Sequence, residues 1–238
     1  NPGDPVPLSF APVRIGGSSV VVLIYDITDR TKPSLARSVQ LDGNSVSTRK
    51  IDNHVYVVTN KHPDYYAYRE KTPSAAEIMP SIVDSRDGVQ KSVVNCSQVR
   101  FLPDYSEVNF LTVGSIDINN PQSEVKTAVV LGGGDTIYAS RDALYVAATR
   151  YDYPVYEKFD VWNPPQSQEK TRIIRFSLAN GGVAYSSAGS VPGHLLNQFA
   201  MDENGSAFRL ATTVGEVWNT GNSRSKNNVY VLDSSNLE

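Results

Sequence analysis

Three histidines, His54, His62 and His194, are the first candidates for metal or acid–base chemistry. A transition-metal site needs ligands spaced to meet on one ion, and none of the three has a partner at such a spacing. The single cysteine, Cys96, has no disulfide partner, and no histidine stands where position would suggest nucleophilic pairing. The Gly-x-Ser-x-Gly elbow of serine hydrolases is absent. Asp84-Ser85-Arg86-Asp87-Gly88 is oxygen-rich enough to suggest calcium. It departs from EF-hand spacing and lacks the closing glutamate, so a plain turn is the better reading. Gly132-Gly133-Gly134-Asp135 could wrap an anion with backbone N–H groups, but the lysine and helix of a nucleotide loop are missing. Two carboxylates such as Asp135 and Asp202 could serve glycoside hydrolysis only at a fixed separation, which a sequence does not set. The residues therefore name no catalytic set, no metal and no cofactor.

The elements that must position any site are legible. A turn-centred segment occurs three times: VSTRKIDNHVYVVT at 46–59, IYASRDALYVAAT at 137–149 and NQFAMDENGSAFRLATT at 197–213. Each runs strand, polar turn, strand, and ends on Thr59, Thr149 or Thr212-Thr213. The turns are Asp52-Asn53, Arg141-Asp142 and Asn204-Gly205, residues that favour tight hairpins for their backbone freedom. A second kind of pair, strand–turn–strand, surrounds Thr28–Pro33, Asn119–Pro121 and Ala179–Gly182. NNVYVLDSSN at 227–236 begins it again.

The repeating unit has four strands, A and B in the hairpin, then C and D. With B–C connections of about 48 and about 20 residues set aside, the hairpins recur about every 42 residues, the period of a propeller blade. The expected fold is all-β: a β-propeller of four-stranded antiparallel blades. Residues 1–18 read as a loop or linker remnant. Residues 19–238 read as C-D, A-B-C-D, A-B-C-D, A-B-C, with insertions near 61–108, 151–170 and 214–227. That is about three blades' worth of strands, an incomplete ring. Closure needs further blades from the rest of the polypeptide or from a second chain, since propellers typically have four to eight.

Composition narrows the partners. A net charge of −3 gives no reason to expect nucleic acid, and no apolar run is long enough to span a bilayer.

LIYDITDRTKPSLARSVQLDG, VVNCSQVRFLPDYSEVNFLTVGSIDINNP, VPGHLLNQFAMDENG and NNVYVLD resemble secreted prokaryotic proteins whose β-propeller domain is distantly related to WD repeats. The resemblance covers most of 19–236, and VPGHLLNQFAMDE is its most specific piece. It implies a secreted or envelope-associated protein and no assigned activity.

The B–C connections hold Tyr65, Tyr66, Tyr68, Tyr105, Tyr151, Tyr153 and Tyr156, seven of the 13 tyrosines, and both tryptophans, Trp162 and Trp218. Aromatics gathered in loops on one face suggest recognition, or else loops packed onto their own scaffold. On the channel side His194, Asn197, Gln198, Tyr138 and Arg49 are the candidates to line the wall or to bond blade to blade. The expected function is a noncatalytic module that recognises a protein, peptide or glycan through the B–C face. The alternatives are a carbohydrate-active hydrolase or lyase at the channel mouth, and a purely structural module.

Overall fold

The computed structural model describes residues 17–64, 66, 68–69, 72–102, 108–152, 168–215 and 225–238. Among them, fifteen strands run in chain order: β1 (Ser19–Asp26), β2 (Ser34–Asp42), β3 (Asn44–Ile51), β4 (His54–Lys61), β5 (Ser81–Asp84), β6 (Gln90–Ser92), β7 (Phe110–Asp117), β8 (Lys126–Leu131), β9 (Thr136–Ala139), β10 (Ala143–Asp152), β11 (Gln168–Ser177), β12 (Ala184–Pro192), β13 (Met201–Asn204), β14 (Ala207–Val214) and β15 (Lys226–Asp233). They form four antiparallel sheets. Sheet 1 is β1-β2-β5-β6, sheet 2 β3-β4-β7-β8, sheet 3 β9-β10-β11-β12 and sheet 4 β13-β14-β15.

The sheets stack face on face around apolar seams. Val39, Leu41 and Ile82 of sheet 1 meet Val57 and Ile116 of sheet 2. Tyr56, Val58, Leu111 and Val113 of sheet 2 meet Leu144, Val146, Ile174 and Phe176 of sheet 3. Tyr145, Ala147 and Ile173 of sheet 3 meet Met201, Phe208 and Leu210 of sheet 4. A middle strand such as β10 is thus apolar on both faces, with Leu144 and Val146 turned one way and Tyr145 and Ala147 the other. Each fully buried aliphatic or aromatic side chain in these seams contributes about 1.5–3 kcal/mol. The four sheets do not close into a ring.

The strand order differs from the expectation at the start of the chain. The segment read as a long B–C insertion at 61–108 contains β5 and β6, which pair on β2 and complete sheet 1. β1 packs on β3 and β2 on β4. The strands first read as C and D are therefore the A and B of sheet 1. It visits sheet 1, then sheet 2, returns to sheet 1 and then completes sheet 2. β5 and β6 span four and three residues, too short for a periodic signal.

The sheet-to-sheet crossovers use glycine where the backbone is tightest. Gly43, at φ +104°, joins β2 to β3, and an added Cβ would lie 2.7 Å from the Asn60 carbonyl. Gly193, at φ +90°, does the same between β12 and β13, 2.5 Å from the Thr213 carbonyl oxygen. The recurring threonines bind these crossovers. Thr59 donates its hydroxyl proton to the Asp42 carbonyl at 2.9 Å, and Thr212 to the Pro192 carbonyl at 2.7 Å. Gly132-Gly133-Gly134 makes the crossover between sheets 2 and 3. Its Gly132 N–H goes to the Asn109 carbonyl at 2.6 Å and its Gly134 N–H to Asn60 Oδ1 at 3.3 Å. Two N–H groups that could have faced an anion are spent inside the fold.

Candidate functional site

The crossover from sheet 3 to sheet 4, residues 193–200, brings three of the five channel-side candidates into one segment. Its backbone is tied to both sheets. The Gly193 N–H donates to the Glu169 carbonyl at 2.8 Å, and His194 pairs with Thr213 in both directions at 2.9 and 3.0 Å. Thr171 donates its hydroxyl proton to the Gly193 carbonyl at 2.6 Å.

On that fixed backbone His194 Nδ1 lies 2.9 Å from Glu169 Oε2, and the Tyr151 hydroxyl donates to Glu169 Oε1 at 3.0 Å. An ionised carboxylate only accepts, so the bond to Glu169 has His194 donating from Nδ1. The imidazole is 38% exposed and the Glu169 side chain 19%. The group can orient a histidine toward a ligand.

Asn197 caps a short 3-10 turn, Gln198–Ala200, by accepting the Phe199 N–H on Oδ1 at 2.9 Å. Gln198 Oε1 accepts a short bond from Arg49 Nη2. Arg49 stands on β3 of sheet 2. Its Nη1 donates to Ser47 Oγ and to the Thr48 carbonyl, both at 2.8 Å, and its Nη2 reaches the Ile137 carbonyl of sheet 3 at 3.4 Å. One guanidinium therefore spans sheet 2, sheet 3 and the entrance to sheet 4. Between these fixed points Leu196 and Phe199 project outward, 83% and 85% exposed.

Tyr138 serves sheet-to-sheet bonding. Its hydroxyl accepts the Glu203 N–H at 3.0 Å, and its ring lies 6.0 Å from Tyr145 and 6.3 Å from Phe208. Beside it the fully buried Tyr145 stacks on Phe208 at 4.0 Å and donates to Glu203 Oε1 at 2.5 Å. Arg175 Nε donates to the same hydroxyl at 3.2 Å. Burial, and then the bond to Glu203, push the Tyr145 phenol well above the usual tyrosine range.

Of the aromatic-face residues, Tyr66 is 81% exposed with the Arg69 guanidinium carbon 5.6 Å from its ring centre. Tyr65, Trp162 and Trp218 lie outside the described residues. Tyr151, expected in a loop, stands on β10 opposite Glu169, is 54% exposed and joins the His194 group. The oxygen-rich turn at 84–88 is an ion-pair turn: Asp84 is held by Arg37 and Arg86, and Asp87 by Lys91 at 3.1 Å. Asp202 is held by Arg209, while Asp135 sits at the crossover between sheets 2 and 3.

Sequence reasoning singled out His194, Asn197 and Gln198 but passed over Leu196 and Phe199 between them. Two large apolar residues inside a polar, turn-forming connection were the available signal. Glu169 and Glu203 carried none, since only pairing across strands shows what they face.

The chain is 25% identical to an uncharacterized protein of Archaeoglobus fulgidus over 98% of its own length and 35% of that protein. It is 51% identical to an uncharacterized protein of Methanocaldococcus jannaschii over 28% of its length and 10% of that protein. The chain thus spans about a third of the first relative and a tenth of the second. No solved structure gives a significant match. The family model described as a beta propeller domain matches residues 5–238, from within the stretch read as a linker to the last residue, and with the stacked four-stranded sheets this shows that the chain belongs to the beta propeller domain family.

Proposed function

We propose that this propeller segment is a noncatalytic recognition module that binds a protein or peptide at the crossover between sheets 3 and 4. The observation that carries the reading is the presentation of Leu196 and Phe199. Two large apolar side chains stand in solvent on a turn fixed by Asn197, by the Arg49–Gln198 bond and by the pairing of His194 with Thr213. An apolar pair costs little further ordering when its backbone is already held, and apolar centres ringed by polar groups are how protein ligands are gripped. His194 Nε2 and the Tyr151 ring supply a polar rim. A location outside the cytoplasm or at the envelope belongs to the same reading and rests on the family resemblance of VPGHLLNQFAMDENG.

The test is a parallel screen of peptide and glycan libraries, followed by titration of the best ligand against Leu196→Ser and Phe199→Ser. Retention of peptide hits with affinity reduced tenfold or more in each variant supports the reading. Peptide binding undisturbed in both variants, or hits among glycans alone, would sink it.

A further inference from the structure

Two turns between strands carry asparagine followed by glycine, Asn180-Gly181 and Asn204-Gly205. In such a pair the glycine nitrogen can attack the asparagine side-chain carbonyl, since no Cβ stands in the way. Both asparagines are exposed, so access to water does not separate them. Their glycines do. The His54 ring fills the space where a Cβ on Gly181 would stand. Ser115 Oγ donates to the Gly181 carbonyl at 2.8 Å, and Lys126 Nζ to the Asn180 carbonyl at 3.4 Å. The following N–H, that of Gly182, donates to the Ala179 carbonyl at 2.9 Å. Sheet 2 thus grips Asn180-Gly181 through three of its strands. At Gly205 an added Cβ would meet nothing within 4 Å, and residues 204–206 are all exposed. Among the described residues, neither the Asn204 side chain nor the Gly205 N–H has a hydrogen-bond partner. β13 is only four residues long, so few contacts oppose local opening of this turn.

We propose that Asn204 is a modification site, at which the side-chain amide is lost to the Gly205 nitrogen and the residue becomes aspartate or isoaspartate. The Gly205 nitrogen gives up its proton and bonds to Asn204 Cγ. The bond from Cγ to Nδ2 breaks, and Nδ2 leaves as ammonia, taking up a proton. Water then opens the cyclic imide. Opening at Cγ gives aspartate, and opening at the backbone carbonyl carbon gives isoaspartate. One water is consumed and one ammonia released, with no oxidant and no second protein. The product places a carboxylate on the outward face that already carries Asp202, since Met201 and Glu203 face sheet 3. Isoaspartate also inserts a methylene into the main chain, which disturbs the pairing of Asn204 with Ala207. The reaction therefore weakens β13, the strand into which the connector 193–200 leads. Asn180 is spared, because closing the same ring there pulls Gly181 away from His54 and Ser115.

Timed incubation of the chain in mildly alkaline buffer tests this, with one sample folded and one unfolded in guanidinium chloride. Fragmentation mass spectrometry locates each conversion of asparagine to its acid, and an isoaspartate methyltransferase labels the isoaspartate product. In the folded chain residue 204 should convert at least tenfold faster than residue 180. In the unfolded chain, where sheet 2 no longer holds Gly181, the two rates should come within threefold of each other. Gly205→Ala, checked for folding by circular dichroism, should slow conversion at 204 at least tenfold. His54→Ala should speed conversion at 180 and leave 204 unchanged. Equal rates at the two positions in the folded chain overturn the proposal. So does an Asn204 that converts only when the chain is unfolded, which shows that the hairpin shields it, and so does a rate at 204 that Gly205→Ala leaves unmoved. A rate at 180 unmoved in His54→Ala overturns the protection assigned to that ring.

Discussion

Arg37 and Asp84 meet as a two-pronged ion pair, Nε to Oδ1 at 3.2 Å and Nη2 to Oδ2 at 2.7 Å, with each side chain only 1% exposed. Arg86 adds a third bond, Nε to Asp84 Oδ2 at 2.9 Å, and its Nη1 reaches the Gln122 carbonyl of sheet 2 at 2.7 Å. β2 and β5 are thus joined by charge as well as by a short ladder, and the group is tied to the next sheet. Replacing Asp84 by Ala leaves a buried guanidinium uncompensated. The expected loss is about 3–5 kcal/mol in urea unfolding, the range for breaking one side of a buried pair. A loss under about 1 kcal/mol would show that water reaches Arg37.

The same carboxylate makes stability depend on pH. Burial alone would raise its pKa, but the bonds from Arg37 and Arg86 outweigh burial and leave it below the ordinary value of 3.8. A depressed folded pKa means that the stabilisation is fully present above the unfolded value and is lost as pH falls through the folded one. The urea midpoint should therefore hold steady from neutrality to about pH 4 and fall below it. The component due to this group should vanish in Asp84→Asn.

Gly193→Ala tests the crossover between sheets 3 and 4. The substitution places a Cβ at φ +90° and 2.5 Å from the Thr213 carbonyl oxygen, so strain and overlap act together. The backbone conformation alone costs about 1–3 kcal/mol for a residue other than glycine. Thermal unfolding should show at least that loss. Gly205→Ala, also at positive φ but with open space around it, should cost less.

Tyr145→Phe removes the hydroxyl that bonds Glu203 and Arg175 while keeping the stacked ring over Phe208. Glu203 Oε1 then loses its hydrogen-bond donor and keeps only the Arg175 Nη2 ion pair at 3.9 Å, in a largely covered position. A loss of about 1–3 kcal/mol follows from leaving such a group unsatisfied. A double-mutant cycle with Glu203→Gln should show coupling between the two positions.

Arg49→Ala cuts the strap from sheet 2 to the connector at Gln198. The expected change in global stability is small, about 0.5–1.5 kcal/mol for hydrogen bonds of this kind. Amide exchange should quicken at residues 197–200 while the strands of sheet 3 keep their protection. Unchanged exchange there would show that Asn197 and the His194–Thr213 pairing hold the turn by themselves.

Amino-acid order alone was enough for the all-β class, the four-strand unit and the positions of the hairpin turns. Those depend on neighbours in sequence: alternation of apolar residues, Asp-Asn or Asn-Gly at a turn, glycine where the backbone must reverse. It also put forward His194, Asn197 and Gln198 as channel-lining candidates, without the Leu196 and Phe199 that stand beside them. The path of the first eight strands was decided only in three dimensions. β5 and β6 carry too few residues to announce themselves, and their place on β2 depends on Ile82 pairing beside Leu41 and on Asp84 meeting Arg37 across 47 positions of chain. The partners of Glu169, Glu203 and Arg49 were decided the same way, since a side chain's bonds follow from which strands the stacked sheets bring together. The two Asn-Gly pairs were visible in the sequence throughout. That His54 and Ser115 grip one while the other stands open became visible only once the sheets were stacked.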